Sequence, residues 1–373
     1  MTTDTDTDTV QHRSEIVFLY DAVDANPNGN PLSGSNRPRI DPQTEQAIVT
    51  DVRLKRYLRD QLDDDGHGVY IRSVTGEEGY AQTREKLLSA CVKDTVAYVE
   101  RNGTDEIEDS ELASMAFDEY LDESADVRYF GATMSIDADD ALGAVEDALP
   151  NHFTGPVQFS PGKSMHAVNE NEEYDSLTSV IATQEGKEQG GFDLADNRIQ
   201  YGLIRFHGIV DEHGAEDTKL TRADVKRLDT LCWRALKNQT ISRSKIGQEP
   251  RLYCRVEYAE DSFHLGGLDT DLTLDREASK PDDELRNVRD LAVDIDEFVR
   301  RLSGASEQIE RVRVVASDVL QFTHGGKELD GLEQFYEALR DAVEGGGVEV
   351  EVVDVYDEYP ETLPASDESD DTA

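Results

Sequence analysis

The chain has 373 residues, of which 81 are Asp or Glu and 37 are Lys or Arg, so its formal charge is -44 at pH 7. High net charge with few apolar residues is typical of disordered proteins. Apolar strand-like runs nevertheless recur along the whole chain, at 16–20, 201–206 and 348–353. We therefore predict a folded core beneath an acidic, solvated surface, which is typical of proteins from salt-saturated cytoplasm.

Several classes of protein are excluded early. No apolar stretch approaches the ~20 residues that a membrane span needs, and the acidic N-terminus is the opposite of a signal peptide. Cys91, Cys232 and Cys254 share no CxxC spacing, which argues against a disulfide framework or a cysteine-rich zinc site. Phosphate-loop, HExxH and GxSxG motifs are missing from the sequence. We expect a cytoplasmic protein without membrane contact, metal or cofactor.

In chain order, hydrophobic periodicity and turn formers predict a disordered acidic tail followed by alternating strands and helices. The first half is predicted to contain a tail at 1–14, a strand at Glu15–Asp24, a turn-rich loop at Ala25–Gly34, a helix at Thr44–Leu62, a strand at Val69–Val74, and helices at 80–100 and 105–124. The second half is predicted to contain strands at Val127–Ile136, Gly155–Phe159 and Tyr201–Val210, a helix at Thr221–Lys237, strands at Leu252–Tyr258 and Ile309–Ala316, a helix at 326–343, a strand at Val348–Val355, and an acidic tail at 361–373.

This order of elements favours the α+β class. Pairing of Tyr201–Val210 with Leu252–Tyr258 around a helix would suit a ferredoxin-like or RRM-like core. We therefore predict one domain at 15–360, with insertions at about 100–200 and 259–297.

Two windows of the sequence have a net positive charge, in contrast to the acidic remainder of the chain. Ser33–Asp60 holds six cations against four acids, and Lys219–Arg255 holds ten cations against three acids. The rest of the chain then carries -53, since -44 - 2 - 7 = -53. Such windows indicate a surface for a polyanion. The alternative is that their cations form intramolecular salt bridges with the acidic remainder.

Several short strings, taken together, resemble one protein family. They are Tyr20-Asp-Ala-Val-Asp-Ala-Asn-Pro-Asn-Gly-Asn-Pro31, Arg37-Pro-Arg-Ile-Asp41, the basic stretch 49–60, Asp126-Val-Arg-Tyr-Phe-Gly-Ala132, Gly155-Pro-Val-Gln-Phe159 with Ser164-Met-His166, and Ser242-Arg-Ser-Lys-Ile-Gly-Gln248. Their order resembles the Cas-seven family of the RAMP superfamily, the backbone subunit of the type I-B CRISPR Cascade complex. Asn30 stands where that pattern has an acidic residue.

The resemblance implies a modified RRM palm with finger-like and thumb-like insertions and no catalysis. It implies that copies of the chain assemble along CRISPR RNA and hold its spacer for pairing with target DNA, so that specificity lies in base pairing. Other partners would be the remaining Cascade subunits, namely a Cas-five-type subunit, a large subunit and a processing nuclease.

The candidate RNA-binding residues are amides of the turn-rich loop and cations of the basic strings. Turn chemistry explains the amides equally well, and salt bridges or helix solvation are the alternative for the cations. The candidates are Asn26, Asn28, Asn30, Arg37, Arg39, Arg53, Lys55, Arg56, Arg59, Arg128, Lys163, His166, Arg243 and Lys245.

Two other functions remain open. The first is a RAMP-type RNA endonuclease that uses Asp21 or Asp24, or a histidine among His152, His166 and His207, in CRISPR RNA processing or target cleavage. The second is a halophilic RNA-binding protein outside CRISPR systems.

Overall fold

The structure is a computed structural model that describes residues 9–29, 36–72, 83–104, 107–133, 138–171, 177–179, 192–194, 197–240 and 245–364. The predictions for Asn30 and Arg243 lie outside these ranges. Helices and strands are mixed along the described chain, which confirms the α+β class.

The strands alternate with helices along the chain. The strands are β1 (Ser14–Ala25), β2 (Arg39–Ile40), β3 (Gln46–Val49), β4 (Gly131–Thr133), β5 (His152–Thr154), β6 (Val157–Phe159), β7 (Gly162–Ala167), β8 (Glu170–Asn171), β9 (Leu177–Ser179), β10 (Phe192–Leu194), β11 (Arg198–Val210), β12 (Gln248–Tyr258), β13 (Thr273–Leu274), β14 (Ala292–Asp294), β15 (Ile309–Ala316), β16 (Gln321–His324), β17 (Lys327–Glu328) and β18 (Glu349–Val352). The helices are α1 (Asp51–Asp64), α2 (Arg84–Cys91), α3 (Lys93–Asn102), α4 (Asp109–Asp122), α5 (Ala125–Phe130), α6 (Asp140–Ala148), α7 (Glu212–Thr218), α8 (Arg222–Lys237), α9 (Asp296–Gly304), α10 (Leu332–Val343) and α11 (Val355–Glu358).

The main sheet has the strand order β18-β15-β12-β1-β11-β7-β3-β2. Strand β1 lies between β11 and β12 and pairs with both in the antiparallel sense. The predicted pairing of Tyr201–Val210 with Leu252–Tyr258 is therefore wrong, because β1 separates the two strands. The helix α8 connects β11 to β12 across β1, so the two strands are parallel but not adjacent.

Strand β1 is buried on both faces of the sheet, and alternate residues feed two different cores. Ile16 and Phe18 pack with residues of α1 and α8 on one face. Val17 and Leu19 pack on the other face with the C-terminal part of the chain, including Phe298 of α9 and Phe335 of α10. This two-sided burial explains the long apolar run that predicted the strand, and it fixes where β1 ends and the next loop begins.

A third core is mainly helical, and its residues come from the segment between α1 and β6. Leu88, Val99, Tyr120 and Val145 belong to it, and they come from α2, α3, α4 and α6. The helix predicted at 80–100 is divided at Val92 into α2 and α3, and the helix predicted at 105–124 corresponds to α4.

The helix predicted at 326–343 begins only at Leu332, because Lys327–Glu328 forms β17 and pairs with β16. Three predicted elements in the first half of the chain also need correction. The proposed helix at Thr44–Leu62 begins only after Thr50, because Gln46–Val49 forms β3 and pairs with β7. Residues 127–130 of the proposed strand at Val127–Ile136 belong instead to helix α5, which is capped by Gly131 with a φ of 72°, and only Gly131–Thr133 forms a strand, β4. Residues 69–72 form no strand, since the backbone N–H groups of Tyr70 and Ile71 donate to the buried Asp126 carboxylate. In each case tertiary contacts override the local pattern.

The predicted tails are also too long. Thr9 forms a β-bridge with Thr221, and the N–H of Val10 donates to the carbonyl of Leu220 at 3.0 Å. Near the other end, the carbonyl of Thr362 accepts from Arg227 Nε at 3.2 Å. Residues 9–14 and 361–364 therefore belong to the folded body. The division into one domain with two insertions stays a prediction.

Candidate nucleic-acid interface

The loop that follows β1 is fastened by its own polar groups. Asn26 Nδ2 donates to the carbonyl of Asn36 at 2.6 Å, and the Asn28 side-chain oxygen accepts from the N–H of Thr50 at 2.9 Å and its hydroxyl at 3.1 Å. The Tyr57 hydroxyl donates to the carbonyl of Pro27 at 3.2 Å. The side chains of Asn26 and Asn28 are buried, so the structure gives them the turn-forming role that sequence reasoning left open.

Two cations lie behind this loop. Lys245 Nζ donates to the carbonyl of Asn26 at 2.5 Å and contacts that of Gly29 at 3.3 Å, while Arg53 Nη2 donates to the same Gly29 carbonyl at 2.8 Å. Lys245 is 6% exposed. Burial, together with the nearby Arg53 charge, lowers the pKa of Lys245 to about 7. A residue this buried supports the loop from behind, which corrects the prediction that Lys245 itself contacts RNA.

Gly29 is required at the tip of the loop. A Cβ there would come within 2.7 Å of the Asn26 side chain and 2.8 Å of the Asn36 side-chain oxygen. The Asn26 side chain is held by its hydrogen bond to the carbonyl of Asn36, so it cannot move away cheaply. The described part of the loop, the two donors Lys245 and Arg53, and the start of α1 therefore form one hydrogen-bonded unit.

An open cavity of about 540 Å³ lies in front of this unit, and we call it the arginine pocket. Its lining comprises Asn28, Asn36, Arg37, Arg39, Thr50, Val52, Arg53 and Arg56. Arg37 and Arg39 are exposed, and within the described chain neither forms an ion pair. Arg56 pairs with Asp60 at 2.7 Å, but no acidic side chain lines the cavity.

Lys163 extends the positive surface beyond the pocket. Arg39 on β2 is the cross-strand partner of Ile48 on β3, and Ile48 is the partner of Lys163 on β7. Residues directly opposite each other share a face of the sheet, and two strand spacings separate the backbones by about 10 Å. Lys163 is exposed and has no ion pair in the described ranges.

The remaining cations of α1 turn toward the protein. Lys55 Nζ donates to the Gln158 side chain at 2.7 Å, and Arg59 Nε forms an ion pair with the buried Asp126 at 2.8 Å. Both cations lie over the ring of Phe130, at 5.7 and 5.0 Å from its centroid. The intramolecular alternative accounts for these two residues, so we leave them out of the interface.

Arg128 and His166 are likewise committed to the fold. Arg128 forms a bidentate pair with Asp224, with both distances 2.9 Å, and these contacts hold the pKa of Asp224 down at about 2 despite its burial. The ring of His166 stacks on Tyr201, and its Nε2 accepts from the N–H of Leu203 at 3.2 Å. Burial lowers the pKa of His166. The prediction of RNA contact is corrected for both.

Most cations of the window at Lys219–Arg255 also meet carboxylates. The pairs are Lys219–Asp118, Lys226–Glu361, Arg227–Asp224, Arg234–Asp65, Lys237–Glu249, Arg251–Asp21 and Arg255–Asp229. The carboxylates on Asp118, Asp65, Asp21 and Glu361 come from distant parts of the sequence. The more basic of the two windows is therefore largely neutralised within the molecule.

The candidate nuclease residues are dispersed. Asp21 is buried and its pKa is raised to about 6 by burial, although Arg251 Nε lies 3.0 Å away. His207 Nε2 donates to the buried Glu15 carboxylate at 2.7 Å, and His152 lies apart on β5. The described residues contain no cluster of three or more His, Cys, Asp or Glu side chains that could hold a metal ion. They also contain no helix long and apolar enough to cross a membrane.

Sequence reasoning missed several residues that build the pocket. Asn36 and Tyr57 fasten the loop, and Thr50 both caps α1 by accepting from the N–H of Arg53 and donates to Asn28. The Thr50-Asp51 pair before an apolar helical pattern is an N-cap signal that locates the start of α1. The contacts of Asn36 and Tyr57 leave no comparable trace in the sequence.

The described chain is thus an α+β protein whose β1 loop and following helix carry a cluster of arginines around one cavity. Comparison with known proteins narrows this class. The sequence profile of the family "CRISPR-associated protein Cas7" matches residues 12–296. A CRISPR-associated protein Cas7 from Haloferax volcanii is 49% identical over 356 residues, covering 94% of this chain and 98% of the relative. The chain belongs to the Cas7 family, which is the Cas-seven family that its motifs resemble.

Two solved structures are similar in outline. A chain of a CRISPR RNA-guided surveillance complex, pre-nicking, aligns with a TM-score of 0.43 and 15% identity over 90% of this chain and 100% of its own length. A chain of a CRISPR RNA-guided surveillance complex aligns with a TM-score of 0.40 and 11% identity over 82% of this chain and 91% of its own. Similarity at this level carries no argument about residues.

Proposed function

We propose that this chain is a backbone subunit of a type I-B Cascade complex, assembling with copies of itself along CRISPR RNA and with the other Cascade subunits. Membership of the Cas7 family and the strong identity to the Haloferax volcanii Cas7 support this role. The guide would present its spacer to target DNA, so the protein would bind the RNA backbone and its shape rather than its sequence.

The arginine pocket is the observation that carries the proposal. In a chain of charge -44, it gathers four arginines with no acid in its lining. Guanidinium groups bind phosphate through paired, short hydrogen bonds. Such contacts persist at high salt, because a Debye length of ~3 Å at 1 M removes only the diffuse attraction. The RNA-binding residues of the proposal are Arg37, Arg39, Arg53, Arg56 and Lys163.

The fold supports a modified RRM palm. The strands β12, β1, β11 and β7 are neighbours in that order, and α1 and α8 pack on one face of them. A βαββαβ unit with β1 at its centre would have this strand order and these helix positions, which supports the proposal. The helices between α2 and α6 would then be the finger, and the short hairpin of β9 and β10 would belong to the thumb.

The subunit would have no catalytic role. Asp21 is fully buried on β1, where Arg251 Nε lies 3.0 Å from its carboxylate, so it would not meet a ligand at the surface. Asp24 accepts from the Asn171 side chain at 3.1 Å. Neither side chain faces the arginine pocket, and His166 is buried against Tyr201.

The RNA bound in cells tests the assignment. The protein would be produced in a halophilic host, purified in molar KCl, and its co-purified RNA sequenced. Short RNAs of uniform length with CRISPR repeat-derived ends are expected. Heterogeneous cellular RNA would support the general RNA-binding alternative instead, and regularly spaced cuts in bound RNA would support the nuclease.

A pair of variants tests the pocket. Arg37→Ala with Arg39→Ala should reduce the RNA that co-purifies, because it removes the two unpaired guanidinium groups. Arg300→Ala with Arg340→Ala is the matched control, since these arginines lie on exposed faces of α9 and α10 and remove the same charge. Equal losses in both pairs would mean that only net charge matters, which would contradict a specific site.

A further inference from the structure

Lys245 is a buried cation that forms no ion pair with any carboxylate of the described residues. Its ammonium group contacts only the carbonyls of Asn26 and Gly29 among the described residues. This is unusual, because burying a charge without an opposite charge is costly. The other buried cations of the basic window, such as Arg255 and Arg234, meet Asp229 and Asp65.

The charge of Lys245 lies directly behind the loop that lines the arginine pocket. The two carbonyls that contact Lys245 belong to the loop whose outer side lines the arginine pocket through Asn28. Arg53 shares the Gly29 carbonyl with Lys245 and also lines the pocket. A change in the Lys245 contacts therefore moves both the loop and the guanidinium of Arg53.

We propose that Lys245 is a positioning residue for RNA binding: its buried ammonium holds the Asn26–Gly29 loop and Arg53 in the binding geometry, and an anion in the arginine pocket stabilises that ammonium in return. This inference rests on the proposed RNA-binding function and adds a residue that does not itself contact the ligand. Among the described residues, no carboxylate forms an ion pair with either of the two neighbouring cations, Lys245 and Arg53. A bound phosphate would supply a counter-charge.

If RNA binding and protonation of Lys245 favour each other, the positioning role of Lys245 can be measured from the pH dependence of RNA binding. Bound phosphate favours the charged form of Lys245, so the pKa of Lys245 rises above its free value of about 7 when RNA binds. RNA binding must then take up a proton above pH 7, and affinity must fall as the pH rises. The titratable groups that face Lys245 are Arg53 and Tyr57 on α1; Arg53 stays charged, and burial raises the pKa of Tyr57 to about 12, so neither titrates in this range.

The experiment is a pH series of RNA binding with the full-length protein. A fluorescein-labelled single-stranded oligouridylate would be titrated with protein in molar KCl, with anisotropy as the readout. For the wild type we expect the affinity to fall by about tenfold between about pH 7 and pH 9. Lys245→Arg should bind with little dependence on pH, because a guanidinium keeps its proton. Lys245→Met should bind about tenfold more weakly at pH 7 and should also lose the pH dependence.

The outcomes separate this inference from the function on which it rests. If wild-type affinity does not change with pH, or if Lys245→Arg keeps the full pH dependence, the inference is overturned even when Arg37→Ala with Arg39→Ala still weakens binding. If the wild type binds no oligouridylate at any pH, the proposed function itself is contradicted. A Lys245→Met protein that does not fold leaves the wild-type and Lys245→Arg profiles to decide.

Discussion

The two basic windows of this chain differ in how far their cations are paired with carboxylates. The window at Lys219–Arg255 has a net charge of +7 and the one at Ser33–Asp60 only +2, yet the weaker window forms the open arginine pocket. Most cations of the more basic window form ion pairs with carboxylates such as Asp118, Asp65 and Asp21. Counting charges along the sequence therefore does not show which cations stay unpaired, because it takes no account of carboxylates from other parts of the chain.

The pairs of the second window differ among themselves in burial. Asp224 is buried and joins Arg128 and Arg227, while the pair of Lys219 with Asp118 is about half exposed. Desolvated pairs are costly to break, whereas exposed pairs contribute little. The second window thus supports the fold chiefly through its buried members.

The largest effect should follow from Asp224→Asn. This change leaves Arg128 and Arg227 buried without a carboxylate, and it removes the acidic member of the capping box of α8. We expect the free energy of unfolding to fall by about 3 kcal/mol or more, measured by denaturant titration in high salt. Asp118→Asn is the matched control and should cost under about 1 kcal/mol. Similar losses for both would erase the distinction between buried and exposed pairs.

Lowering the pH should reduce the difference in unfolding free energy between the wild type and Asp224→Asn. The pKa of Asp224 is about 2 in the folded protein against a usual 3.8. Its stabilising contribution is therefore complete above about pH 4 and is lost as the pH falls toward 2. The difference in unfolding free energy between the two proteins should shrink by about 2 kcal/mol across that range. A constant difference would show that the carboxylate charge is not what stabilises the cluster.

The contrast between windows predicts different RNA binding. Arg37→Ala with Arg39→Ala should weaken RNA binding by about tenfold, because each charge-assisted phosphate contact contributes on the order of 1 kcal/mol or more. Lys219→Ala with Lys237→Ala removes the same charge from the second window, where both lysines have acidic partners. That pair should change the affinity by less than about twofold. The reverse order of effects would restore the ranking by charge count.

The smallest effect is expected from Thr50→Ala. Thr50 caps α1 and fastens Asn28, so its loss should lower the unfolding free energy by about 1 kcal/mol and loosen the loop. Thr50→Ser keeps the hydroxyl and is the control. If Thr50→Ala weakened neither stability nor RNA binding, the loop would not depend on its attachment to α1.

The sequence itself determined much of this protein. The continuous apolar run of β1 and the Thr221 cap with the amphipathic pattern of α8 are local signals, and both elements formed close to their predicted bounds. The run of Asn, Pro and Gly predicted a tight loop after β1, and the motifs around it indicated the family. Local patterns suffice there because helices, caps and turns depend on residues within a few positions of each other.

The tertiary structure alone decided which of the cations remain available. Arg37 and Arg59 belong to the same basic window, but Arg59 meets Asp126, which lies 67 residues further along the chain. The Asn26 and Lys245 contact spans 219 residues, and it turns a residue expected at the surface into an internal support of the loop. Ion pairs and burial join residues that are distant in sequence, so their effect on each charge exists only once the chain has folded.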